Sequence, residues 1–149
     1  MTIKTLATNR KAFHNYNIGE KVEAGIALTG SEIKSIREGK ISMSDAYVRP
    51  ANKEMWLLNM HIARYEASSY MSHEPLRPRK LLLHRKEILG LTGKVAEKGL
   101  TLVPTRLYLK GNFAKVEIAL AKGKKLHDKR EVIIRRETER EMARAVKNR

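Results

Sequence analysis

The chain has no cysteine, which excludes a disulfide framework and any thiolate metal site and suits a reducing compartment. Aromatic residues make up only 5% of it, so a core must rest on Ile, Leu, Val, Met and Ala. No apolar run approaches the roughly 20 residues of a membrane-spanning helix. The opening stretch MTIKTLATNRKAFHNYN lacks the roughly 7–15-residue apolar centre of a secretory signal, and we expect a cytoplasmic protein with no membrane partner. Acids are also scarce: 16 Asp and Glu stand against 31 Lys and Arg, a formal charge of +15. Such a field attracts polyanions. With 149 residues and 42% hydrophobic content, the chain can still bury one ordinary core.

The charge is unevenly spread. Residues 122–149 carry 11 Lys and Arg against 5 Asp and Glu, about three times the net charge per residue of the rest. Their apolar residues are scattered, so we expect a body over 1–121 and a separable basic tail over 122–149. Within the body, alternation dominates. Tyr16, Ile18, Val22, Ala24, Ile26 and Leu28 share one parity, which predicts a strand with one buried face. Glu20 breaks that pattern beside Gly19, where a bulge fits.

Further strands are expected at Ala46–Arg49, Met55–Ile62, Leu100–Lys110 and Asn112–Ala121, the last two forming a hairpin around Gly111 and Asn112. In that hairpin Ala114, Val116, Ile118 and Leu120 would face inward with Thr105, Leu107 and Leu109, leaving Arg106, Tyr108 and Lys110 outside. Thr29-Gly30-Ser31-Glu32 has capping-box spacing and predicts a helix that stops near Gly39. A second helix is expected from about His84 to Lys98, broken at Gly90 and Gly93. Many strands with few helices favour a mostly β fold, a small antiparallel barrel flanked by short helices.

Catalytic and metal chemistry is hard to assemble. The histidines at 14, 61, 73, 84 and 127 show no His-x-His or His-x-x-x-His pair. Gly25-Ile26-Ala27-Leu28-Thr29-Gly30 has phosphate-loop spacing, but Ser31 and Glu32 stand where Lys and Ser or Thr are needed. No Gly-x-Ser-x-Gly elbow occurs. We expect no cofactor, no metal and no enzymatic activity.

Basic clusters are plain by comparison. Arg77, Arg79, Lys80, Arg85 and Lys86 fall in an acid-free stretch beside Pro75 and Pro78, read as a loop entering the second helix. KGKKLHDKR (122–130) sets Lys122, Lys124, Lys125, Lys129 and Arg130 against Asp128 alone. Gly123 would let backbone approach phosphate, and His127 offers a ring that can stack on a base. Arg136, Arg140, Arg144 and Lys147 would form one stripe on a helix. That tail is open to two readings, a segment that orders along RNA or a permanently exposed helix.

The segments VEAGIALTGSEIKSIREGK (22–40), ISMSDAYV (41–48), RKLLLH (79–84) and KGKKLHDKR (122–130) together resemble the SsrA-binding protein (small protein B) family, the bacterial partners of transfer-messenger RNA. The resemblance spans about residues 9–149. It implies an oligonucleotide/oligosaccharide-binding (OB-fold-like) antiparallel barrel. It also implies binding to the tRNA-like part of transfer-messenger RNA and delivery of that RNA to stalled ribosomes, with the tail entering the empty mRNA channel. RNA-binding positions implied are Asn9, Glu23, Leu82 and His84, with Arg79 and Lys80 among the basic residues around them. The family usually has Asn where His84 stands.

Glu23 makes chemical sense there, because a carboxylate accepts from base amino and imino groups. Leu82 read without the resemblance would be core. Ribosome contacts implied are Gly123, Lys124, Lys125, His127, Asp128, Lys129 and Arg130, and we add Arg136, Arg140 and Arg144 from the stripe. A monomer is expected. A general ribosomal or tRNA-binding protein, and an RNA-modifying enzyme, are the alternative readings.

Overall fold

The computed structural model describes residues 2–65, 72–124 and 140. Among the described residues up to 124, nine strands and three helices follow in chain order. They are β1 (Ile3–Thr8), α1 (Arg10–Asn15), β2 (Tyr16–Ile26), α2 (Gly30–Arg37), β3 (Ile41–Ser42), β4 (Tyr47–Ala51), β5 (Glu54–Leu58), β6 (His61–Ile62), β7 (Arg79–Leu82), α3 (Arg85–Lys98), β8 (Thr101–Lys110) and β9 (Phe113–Gly123). Seven strands hydrogen-bond in the order β1-β8-β4-β5-β7-β2-β9, all antiparallel, and β9 returns to pair with β8. Closure of that ring makes a barrel and removes most free strand edges. Strands β3 and β6 form a small separate pair.

Inward parity fills the barrel with Ala24, Ile26, Val48, Met55, Leu57, Leu81, Leu102, Leu107, Val116, Ile118 and Leu120, all buried. Ile36 of α2 and Ile88 and Leu91 of α3 pack against the same core. A smaller cluster of Ala12, Val103 and Ala121 seats α1 against β8 and β9.

The local signals account for several ends. Thr29 and Glu32 form the expected capping box on α2, and Gly39 follows at φ +76°. The β2–β9 register shifts between Ile18 and Lys21, so the extra residue lies on β2 at Gly19–Glu20, where the alternation failed. Asn52 and Lys53 both take positive φ in the β4–β5 turn, as a two-residue type I′ hairpin requires.

Other expectations need correction. The single strand expected at Met55–Ile62 is two, divided where Asn59 takes φ +60°. Tyr108 points outward by parity yet is 3% exposed, because the Arg106 guanidinium lies 4.7 Å from its ring centroid and Glu23 takes its hydroxyl. The stretch read as a loop before the second helix contains β7. The body boundary expected at 121 falls inside β9, which runs two residues further.

Helix α3 is continuous through Gly90 and Gly93. Its buried Ile88 and Leu91 hold it to the core, which outweighs about 1 kcal/mol of propensity cost per glycine. A Cβ at either glycine would meet nothing within 4 Å. Gly90→Ala and Gly93→Ala are each expected to stabilise the fold by about 0.5–1 kcal/mol, read as a raised urea midpoint with unchanged slope.

Candidate nucleic-acid interface

Strand parity decides which residues of the basic stretch 77–86 reach solvent. In the β5–β7 ladder Leu57 faces Arg79, Trp56 faces Lys80 and Met55 faces Leu81. Directly paired residues share a face, so Arg79 goes inward with Leu57 and Lys80 goes outward with Trp56. Arg79 is fully buried. Its Nε donates to Glu32, Nη1 to the Met60 carbonyl at 2.6 Å and Nη2 to the Pro75 carbonyl at 3.1 Å. The expectation that Arg79 touches RNA is therefore corrected: it is an interior cation that joins α2, β7 and the chain around Met60 and Pro75.

Burial alone would raise the Glu32 carboxyl. Hydrogen bonds from Arg77, the Thr29 backbone and Arg79 more than offset it and hold the group below the ordinary carboxylate value of 4.5.

Asn9 is corrected on the same grounds. It is 3% exposed; its Oδ1 accepts from the Ala12 N–H at 3.2 Å as the N-cap of α1, and its Nδ2 donates to the Pro104 carbonyl at 2.9 Å. The side chain fixes α1 to β8 and has little surface left over.

The remaining four expected RNA residues converge. Glu23 from β2, Lys80 and Leu82 from β7 and His84 at the start of α3 line one groove of about 860 Å³, with Lys53, Glu54, Arg85, Glu87 and Lys115 around them. Leu82 is 54% exposed, so it is an apolar contact on the groove floor, not core. Gly25 lies opposite it in register, and a Cβ there would come within 3.1 Å of the Leu82 Cβ. His84 is exposed, and its backbone N–H donates to Glu87 at 3.2 Å. Lys80 pairs with Glu54 at 3.1 Å.

Glu23 is the most constrained of these groups. It accepts from the Tyr108 hydroxyl and lies 3.4 Å from the Lys110 ammonium. The Tyr108 hydrogen bond comes first among the causes that hold its carboxyl below the usual range, against a smaller opposing effect of burial and with help from Lys110 and Lys115. Burial, then the Glu23 carboxylate, pushes the Tyr108 phenol far above its ordinary value, so it stays a donor. Glu23 faces Glu117 across the ladder, but Glu117 has its own donors in Thr105 and Arg106 at 3.0 Å. The result is an ionised acceptor with lone pairs left over, set among cations suited to phosphate.

Lys53, Tyr108 and Lys115 were not singled out for this site by the sequence. Lys53 had a readable signal in the Asn52-Lys53 turn between two strands. Tyr108 and Lys115 depend on β2–β9–β8 register, which has no local signal.

Of the expected ribosome contacts, Gly123 is exposed at the end of β9, paired with Tyr16. The Lys124 N–H donates to the Asn15 carbonyl at 3.0 Å, and Arg140 is exposed. Lys125, His127, Asp128, Lys129, Arg130, Arg136 and Arg144 lie outside the described residues. Lys115 in the groove and Gly123 sit eight residues apart on one strand, about 26 Å at ~3.3 Å per residue. Among the described residues no helix is long and apolar enough to cross a membrane.

A family model described as SmpB protein matches residues 6–148. An SsrA-binding protein of Dehalococcoides mccartyi is 61% identical over 145 residues, covering 97% of this chain and 84% of that one. An SsrA-binding protein of Carboxydothermus hydrogenoformans is 56% identical over 146 residues, 98% of each chain. A chain in the solved structure described as "tmRNA-SmpB: a journey to the center of the bacterial ribosome" is 49% identical, with TM-score 0.68 over 80% of this chain and 85% of that chain.

Proposed function

The chain belongs to the SmpB protein family, and from that membership we propose that its barrel grips the tRNA-like part of transfer-messenger RNA while its basic tail engages the ribosome. It binds transfer-messenger RNA and acts in trans-translation on the ribosome. The groove that gathers Glu23, Lys80, Leu82 and His84 is the observation that carries the finer reading. Lys53, Lys80, Arg85 and Lys115 attract the RNA backbone, which gives affinity without sequence information. Glu23 accepts from an exposed base edge, Leu82 packs on an unstacked base and the His84 ring stacks or donates.

The tail from Lys124 onward, with Gly123, Lys124, Lys125, His127, Asp128, Lys129 and Arg130 at its root and Arg136, Arg140 and Arg144 beyond, senses whether the mRNA channel is empty. RNA already in the channel excludes it. The protein works as a monomer in the cytoplasm, and competition for space replaces covalent chemistry. Glu23→Gln removes the charge and keeps the shape. It is expected to weaken binding to a tRNA-like-domain transcript by about 10-fold or more, as loss of one good base contact of ~1–3 kcal/mol implies. Its thermal midpoint should stay within a few degrees of the parent. Undiminished affinity in gel-shift titrations with bulk tRNA as competitor would remove Glu23 from the interface.

A further inference from the structure

On the outward face of the barrel, next to the groove, the ladders set three side chains in one row. Arg49 on β4 pairs with Trp56 on β5, and Trp56 pairs with Lys80 on β7. An aromatic ring is thus flanked by a cation on either side. Two pairs further along, and so on the same face, Tyr47 faces Leu58, and Tyr47 is 37% exposed. Arg49, Ala51, Trp56, Leu58 and Pro78 enclose a shallow depression of about 320 Å³. Neither neighbouring cation covers the indole: the cation–ring contacts among the described residues fall on Phe13, Tyr65 and Tyr108. Lys80 is engaged by Glu54, whereas Arg49 has no ion-pair partner among the described residues.

We propose that this row is a second RNA site, a platform on which an unpaired nucleobase stacks against Trp56 while Arg49 and Lys80 hold its flanking phosphates. Outward aromatics on neighbouring strands are how other β-sheets take successive bases of single-stranded RNA, and Tyr47 offers the next ring. The charge complementarity of the flanking cations selects a polyanion over an apolar partner. The platform shares Lys80 with the groove but rests on Trp56 and Arg49, which the groove does not use, so it can fail while the groove reading stands.

Trp56 is the only tryptophan in the sequence, so its emission reports the site directly. Titrating the full chain with single-stranded hexaadenylate is expected to quench that emission. An abasic hexamer of equal charge should not. Arg49→Ala should shift the midpoint about tenfold. With labelled hexaadenylate followed by anisotropy, Trp56→Leu should bind about tenfold more weakly or worse, as loss of one stacked base implies, and Trp56→Phe should recover most of the affinity.

Unchanged emission when anisotropy shows the hexamer bound, equal quenching by the abasic hexamer, or an Arg49→Ala midpoint within twofold of the parent would each overturn the platform. A tRNA-like-domain transcript separates the two possible sources of the base. Quenching by the transcript assigns the base to transfer-messenger RNA. Hexaadenylate quenching that persists in the preformed transcript complex assigns it to another RNA, the ribosome's own.

Discussion

Arg79→Ala is expected to destabilise the protein by about 3–5 kcal/mol, against the ~5–15 kcal/mol typical of a whole domain. Three acceptors lose their donor together: Glu32, the Met60 carbonyl and the Pro75 carbonyl. The Glu32 side chain, fully buried, keeps its charge with one of its three donors gone. Lys in place of Arg supplies one compact ammonium where a planar fork serves three directions, so Arg79→Lys should recover only part of the loss. Lys80→Ala, one residue away and facing solvent, should stay within about 0.5 kcal/mol of the parent.

Urea unfolding of the three variants checks this, and equal losses at 79 and 80 would refute the assignment of faces. Acid has a related effect. Because the folded Glu32 carboxyl lies below 4.5, its contribution is complete above that value and is lost as pH falls through the lowered one. Acid unfolding should therefore set in below pH 4.5, and the Arg79 variants should unfold earlier in the titration.

Truncation after Lys124 is expected to abolish peptide tagging on stalled ribosomes and leave affinity for the tRNA-like transcript within a few-fold. The cut must spare Gly123 and Lys124, since Gly123 pairs with Tyr16 and the Lys124 N–H closes onto Asn15. A cut after Ala121 would strip the last rungs of the β2–β9 ladder and confuse folding with function. Filter binding and a tagging assay on the same preparation check the outcome. Equal loss of both activities would mean that the barrel and the tail do not divide the work.

The contrast between Arg79 and Lys80 also shows how far the sequence could be read. Composition and charge pointed to a polyanion, the resemblance made it RNA, and the period-two runs located the barrel's long strands. The failures came where a residue's surroundings depend on distant register. Arg79 and Lys80 are both cations in an acid-free stretch, and only the pairing of Leu57 with Arg79 assigns one to the interior. Asn9 was an RNA contact only by the resemblance, and its role as N-cap of a six-residue helix leaves almost no periodic trace to read. Strand β1 carries no alternation either: its first three residues and its last are exposed and the two between are half-buried. Gly19 with Glu20 went the other way, since a broken pattern beside a glycine was a local signal and did mark a bulge.

The same register gives strand β9 a mechanical role. Both of its neighbours carry the extra residues, at Gly19–Glu20 on β2 and between Pro104 and Arg106 on β8, while β9 itself runs unbroken from Phe113 to Gly123. Its rungs lie across the strand axis on both sides. A pull on Lys124 along β9 therefore loads two ladders together in shear and cannot peel them one rung at a time. The C-terminal end of β9 is thereby held from both sides.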